Sequence, residues 1–153
     1  KNVKFKQFQF LKNEAIKKLT ALEQEPLRLR NRTVEECLSA DAVMLAYIGD
    51  AVYSMYVRER VVQMNITKVQ VLHTIVTEFI CAKSQAKVLL SIEDTFTEQE
   101  QAIARRARNS NVNVPKSSTV QEYRSSTAFE AVLGFMKRVK MSAYNILWGK
   151  PFL

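Results

Sequence analysis

Glycine and proline are scarce, three of each among 153 residues. That scarcity excludes collagen-like, linker-rich and turn-rich β architectures, because hairpins and sandwiches consume such residues about every 8 to 12 positions. Helix is left as the default. Cysteine is nearly absent too: Cys37 and Cys81 match no metal-ligand spacing and cannot staple a chain of this size. Both are expected as reduced core residues of an intracellular protein. A single histidine, His73, leaves Ser-His-Asp or Cys-His chemistry one candidate base, set in an apolar helical stretch that suits a structural role better. No apolar run reaches membrane-spanning length and no secretory h-region precedes a small-residue cleavage site, so a soluble chain is expected.

Positive charge, by contrast, is plentiful. Lys and Arg total 23 against 15 Asp and Glu, a net +8, and 47% of positions are hydrophobic, enough for one compact domain. The balance is +4 over residues 1–36, −3 over 37–100 and +7 over 101–153. A polyanionic partner, nucleic acid or an acidic lipid surface, is favoured, with the C-terminal third as its face. There Arg105, Arg106 and Arg108 crowd the end of one helical stretch, followed by Asn109, Lys116 and Arg124. Basic residues at a helix C-terminus also suit the macrodipole, so helix-end stabilisation explains the same cluster equally well.

Capping boxes mark several helix starts: Thr33 with Glu36, Thr67 with Gln70, Thr97 with Glu100 and Ser118 with Gln121. They predict helices over 3–24, 34–38 continuing or restarting into 41–64, 68–91, 98–108, 119–140 and a short one at 142–148. Residues 109–117, rich in Asn and Ser with Pro115, form a loop. Residues 1–40 read as an N-terminal extension or accessory helix, with Phe5, Phe8, Leu11, Ile16 and Leu19 as its stripe, and 41–153 as the main domain.

Two acids stand apart from their surroundings. Asp50 is the only charge in AVMLAYIGDAVYSMYV, residues 42–57, and Glu130 the only one in TAFEAVLGFM, residues 127–136. An ionised carboxylate in an apolar setting costs several kcal/mol unless paired, protonated or bound to a cation. Gly49 and Ala51 beside Asp50, with Ala128, Ala131 and Gly134 around Glu130, allow two helices to approach until both acids share one ion. Oxygen ligands of this kind suit Mg²⁺, with Mn²⁺ as a substitute. An ion pair with Arg58 or Arg124 is the plainer account of Asp50, and a water-facing helix edge that of Glu130. The aromatics Tyr47, Tyr53, Tyr56, Phe79, Phe129 and Phe135 fall at helical spacings expected of a core.

The string LAYIGDAVY at residues 45–53, with VRER at 57–60, resembles the first motif of the Mini-III branch of the ribonuclease III family. Leu72 and His73, then Ala82, Gln85 and Ala86, resemble that branch's LH and AxxQA positions. RRARN at 105–109, VPK at 114–116, YR at 123–124 and STAFEAVLG at 126–134 resemble its second half in order and spacing. Val43, Ala46 and Thr127 stand where full-length ribonuclease III carries further acids, an absence shared by the Mini-III branch; Ser54 and Ala107 replace a usual Glu and Gly.

The resemblance, spanning residues 42–140, implies an all-α ribonuclease III-type bundle of six to seven helices that acts as a homodimer and cuts double-stranded RNA. By position, Asp50 and Glu130 are then its catalytic, Mg²⁺-holding acids, leaving 5′-phosphate and 3′-hydroxyl ends. Arg105, Arg106, Arg108, Asn109, Lys116 and Arg124 are its RNA-binding residues. The implied role is maturation of ribosomal RNA precursors, in a bacterial cytoplasm or an organellar stroma or matrix. The dimer face is expected on helix 41–64, which carries more apolar surface than one covered side requires. A non-catalytic ribonuclease III-like RNA binder within a ribosomal or RNA-processing assembly is the competing expectation; a basic helical protein unrelated to RNA would explain the charge but not the motifs.

Overall fold

The computed structural model describes residues 2–20, 32–110 and 113–139. Among them every regular element is helical. The chain divides into two units. One carries α1 (Asn2–Thr20), whose Phe5, Phe8, Phe10, Leu11, Ile16 and Leu19 are all exposed. The other carries α2 (Val34–Ser39), α3 (Ala42–Val62), α4 (Val69–Ile80), α5 (Ala82–Ile92), α6 (Glu98–Arg108) and α7 (Val120–Arg138), with a 3-10 turn at Glu93–Thr95.

The centre of the second unit is α7. Residues 126–136 are buried around the whole circumference except Glu130, which is partly exposed. A helix apolar on every side must lie inside its neighbours, and α7 packs against α3, α5 and α6. Phe129 meets Tyr53 of α3 edge to face, with ring centroids 4.9 Å apart at 90°, an arrangement worth about 1 kcal/mol beyond the burial itself. Burial pushes the Tyr53 hydroxyl up to about 12, so it stays protonated. The main chain closes at one end, where Arg32 N donates to Arg138 O at 2.8 Å.

Local chemistry sets most boundaries. Thr33 with Glu36 and Thr97 with Glu100 form complete capping boxes, as the sequence predicts. The third box lies one residue beyond the expected one: Thr119 caps α7 and Glu122 reaches back, a carboxylate accepting more strongly than the amide of Gln121 could. Thr67 caps nothing; α4 begins after Lys68, which makes no side-chain cap bond.

The stretch 68–91 is two helices, not one. Cys81 is extended (φ −68°, ψ 155°) and ends α4 while starting α5. The Ser84 hydroxyl takes the Glu78 carbonyl at 2.5 Å and the Cys81 thiol donates to the same oxygen at 3.3 Å. These contacts satisfy a helix end that periodicity alone leaves invisible. Cys81 is accordingly exposed rather than in the core, whereas Cys37 is fully buried. Tyr47, at 79%, and Phe79 are also exposed, against the core expectation, while Tyr53, Tyr56, Phe129 and Phe135 are buried. The helix expected at 142–148 lies outside the described residues.

Candidate active site

Two glycines bring the isolated acids together. A Cβ on Gly49 would lie 1.7 Å from the main-chain oxygen of Glu130, and one on Gly134 would lie 1.8 Å from that of Leu45. Positions 45 and 49 of α3 therefore sit directly on positions 130 and 134 of α7, at a separation that only hydrogen side chains permit. Asp50 follows Gly49 in the chain, so this contact delivers it to the place where Glu130 leaves the buried run of α7.

The electrostatics show the proximity. Glu130 is pushed up to about 7, first by burial and second by the Asp50 charge, while a hydrogen bond from the Gln85 side chain works in the other direction. Asp50 itself is exposed. Among the described residues neither acid is ion-paired with an arginine or lysine, so the pairing with Arg58 or Arg124 does not form. No histidine, cysteine or further acid among them builds a cluster of three.

This donor set fits a hard divalent cation. Two carboxylates, one partly buried at a cost that a cation would offset, would supply oxygen ligands and leave the remaining positions to water and other oxygen donors. Sequence reasoning, which placed Gln85 only within a motif, missed it as a member of the site. The signal was available: Gln85 is the polar position on the Ala82, Ala86, Leu89 face of α5, and it is 1% exposed.

The basic residues divide into two groups. The Arg106 guanidinium donates to the carbonyls of Leu38 and Ala40, fastening α6 to the end of α2. Arg108 Nη2 lies 3.0 Å from Glu93 Oε2. Arg105, Asn109, Lys116 and Arg124 are exposed without such a bond among the described residues, while Arg106 is exposed as well and Arg108 partly so. Arg105, Arg106 and Asn109 share an open cleft of about 340 Å³ with Asp41, Ala42 and Ser110; neither Asp50 nor Glu130 lines it. Ala107 is fully buried in α6, so its methyl is accommodated by packing. His73, expected to be structural, is exposed and lines an apolar groove with Arg58, Val61, Val62, Val69, Leu72 and Val76.

Known proteins resemble this chain over most of its second unit. The Ribonuclease III domain family matches residues 43–136. A Mini-ribonuclease 3 of Thermoanaerobacter sp. (strain X514) is 43% identical over 105 residues, 68% of this chain and 74% of that protein. One from Streptococcus pneumoniae is 41% identical over 63% of this chain and 77% of its own length. A crystal structure of a protein from Fusobacterium nucleatum is similar with a TM-score of 0.64 and 32% identity, covering 67% of this chain and 84% of that one. The matched stretch runs from α3 through α7 and so contains both Asp50 and Glu130.

Proposed function

Since this chain belongs to the ribonuclease III family, with its relatives in the Mini-III branch, we propose that it is an endoribonuclease of double-stranded RNA whose Asp50 and Glu130 hold a divalent cation, Mg²⁺ or Mn²⁺, at the scissile phosphodiester. The single observation that carries this reading is the seating of Gly49 on the Glu130 main chain, which joins two otherwise unexplained acids. A bound Mg²⁺ supplies Lewis-acid activation of water and neutralises charge on the departing oxygen. The residues do the rest. Asp50, exposed, faces solvent and substrate; Glu130, partly buried, is held in place by α7 and by Gln85. The products are 5′-phosphate and 3′-hydroxyl ends. A non-catalytic binder has no use for a partly buried carboxylate that disfavours its own charge.

Double-stranded RNA presents phosphates and 2′-hydroxyls over a wide minor groove and is gripped by shape and charge. Arg105, Arg106, Arg108, Asn109, Lys116 and Arg124 are assigned to that grip, and Arg106 and Arg108 also tie α6 to the Leu38 and Ala40 carbonyls and to Glu93. The Arg105→Ala variant is expected to bind duplex RNA several-fold more weakly and to lower the slope of log affinity against log salt by about one. An unchanged slope moves the binding face elsewhere.

A homodimer is assigned to α3. Met44, Tyr47, Met55 and Val62 are 59–79% exposed and recur along one side of the helix with Ala51 and Arg58 between them. An exposed stripe of large apolar side chains is a docking surface, and a two-fold pair of sites would cut both strands. Sedimentation at micromolar concentration is expected to return a dimer, and Tyr47→Asp a monomer; a monomeric parent protein refutes the assignment. By resemblance the substrate is a ribosomal RNA precursor, and the bacterial sources of the relatives support a cytoplasmic setting.

A further inference from the structure

Two buried side-chain polar atoms among the described residues lack a partner, Arg108 Nε at the end of α6 and Gln85 Oε1 in α5, and the second lies beside the acid pair. Gln85 is 1% exposed. Its Nε2 donates to the carbonyl of Ile80, the last residue of α4, at 3.0 Å, and its side chain also hydrogen-bonds Glu130. The oxygen of the same amide, Oε1, is buried with no donor among the described residues. A buried acceptor left unmet costs free energy that a leucine or methionine of similar volume would avoid. Stability alone therefore argues against glutamine here.

We infer that Gln85 is a positioning residue for the acid pair, its amide nitrogen holding the Glu130 carboxylate in register with Asp50 while the second hydrogen anchors the amide to the main chain where α4 gives way to α5. The inference rests on the proposed role of Asp50 and Glu130 as cation ligands. Ile80 precedes the extended Cys81, so the carbonyl that fixes the amide has itself lost its helical partner at that break. The interruption between α4 and α5 thereby acquires a purpose: it frees an acceptor to orient Gln85, and Gln85 orients Glu130. Partners of this kind around ligating carboxylates change cation affinity by about 10- to 100-fold.

The test is calorimetric titration of the folded protein with Mn²⁺, alongside thermal unfolding and single-turnover cleavage of duplex RNA. Gln85→Leu is expected to weaken Mn²⁺ binding about 10- to 100-fold while unfolding at the parent temperature or above it, since the orphaned oxygen goes with the amide. Raising Mn²⁺ should recover the cleavage rate, which a merely structural defect would not allow. Gln85→Met, unbranched and closer in shape, gives the same answer if leucine packs badly. Parental Mn²⁺ affinity in either folded variant overturns the inference. Asp50→Asn separates this from failure of the underlying reading: if it binds Mn²⁺ like the parent, the acid pair is not the cation site; if it does not bind and Gln85→Leu does, only the role of Gln85 falls.

Discussion

Asp50→Asn and Glu130→Gln are each expected to reduce Mg²⁺-dependent cleavage of duplex RNA by about 10³-fold or more, and chelation of the parent protein should do the same. Several kcal/mol of charge stabilisation at the phosphodiester depend on the cation, and each change removes an anionic ligand without altering side-chain shape. The fold should persist. Asp50 is exposed, so its replacement is expected to shift stability by no more than about 0.5 kcal/mol. Cleavage that survives either substitution in a folded protein rejects the site.

Glu130→Gln carries a second, opposite effect. In the folded chain Glu130 titrates at about 7, against an ordinary value of 4.5. The native state thus holds its proton more tightly than the unfolded one, and stability from this group falls as pH rises from 4.5 to 7. Above pH 7, without cation, the ionised side chain costs on the order of 2 to 3 kcal/mol. The glutamine variant escapes that cost. Denaturation in chelator is therefore expected to show it matching the parent near pH 4.5 and exceeding it by that amount at pH 8. A constant difference across this range would mean that Glu130 is not disfavoured in its charged form.

The largest structural effect is expected at Gly49. An alanine methyl 1.7 Å from the Glu130 oxygen cannot be relieved by a rotamer change, because the obstacle is main chain. The helices must separate, at a cost of about 3 kcal/mol or more, at the upper end of overpacking penalties. For a chain of this size that corresponds to a fall in melting temperature of about 6–12 °C. Misplacing the acids by even ~1 Å can cost about 10²-fold in rate, so the folded fraction should also cleave poorly. Melting at the parental temperature would show that α3 and α7 do not approach as described.

Much of this was legible in the residues. The loneliness of Asp50 and Glu130 and the small side chains beside them announced a close helix crossing, and two caps, Thr33 and Thr97, announced helix starts, whereas that of α7 falls at Thr119 and not at Ser118. The break at Cys81 was not legible, since it is held by a serine hydroxyl and a thiol sharing one carbonyl and leaves no mark on the apolar periodicity. Nor were the internal bonds of Arg106 and Arg108: a run of arginines looks alike in sequence whether or not a guanidinium also reaches, as with Arg106, carbonyls 66 and 68 positions away. Tyr47 followed the helical spacing but fell on the outer side of α3, because a helix apolar on two faces does not reveal which one the core takes.

The glycine crossing also limits how this protein can change. Every amino acid at position 130 presents the same carbonyl, so no replacement there can make room for a side chain at position 49. Genetic suppressors of Gly49→Ala must then arise along the remainder of α3 and α7, by thinning the pair elsewhere, and the spacing of the two acids is inherited from the backbone instead of being negotiated residue by residue.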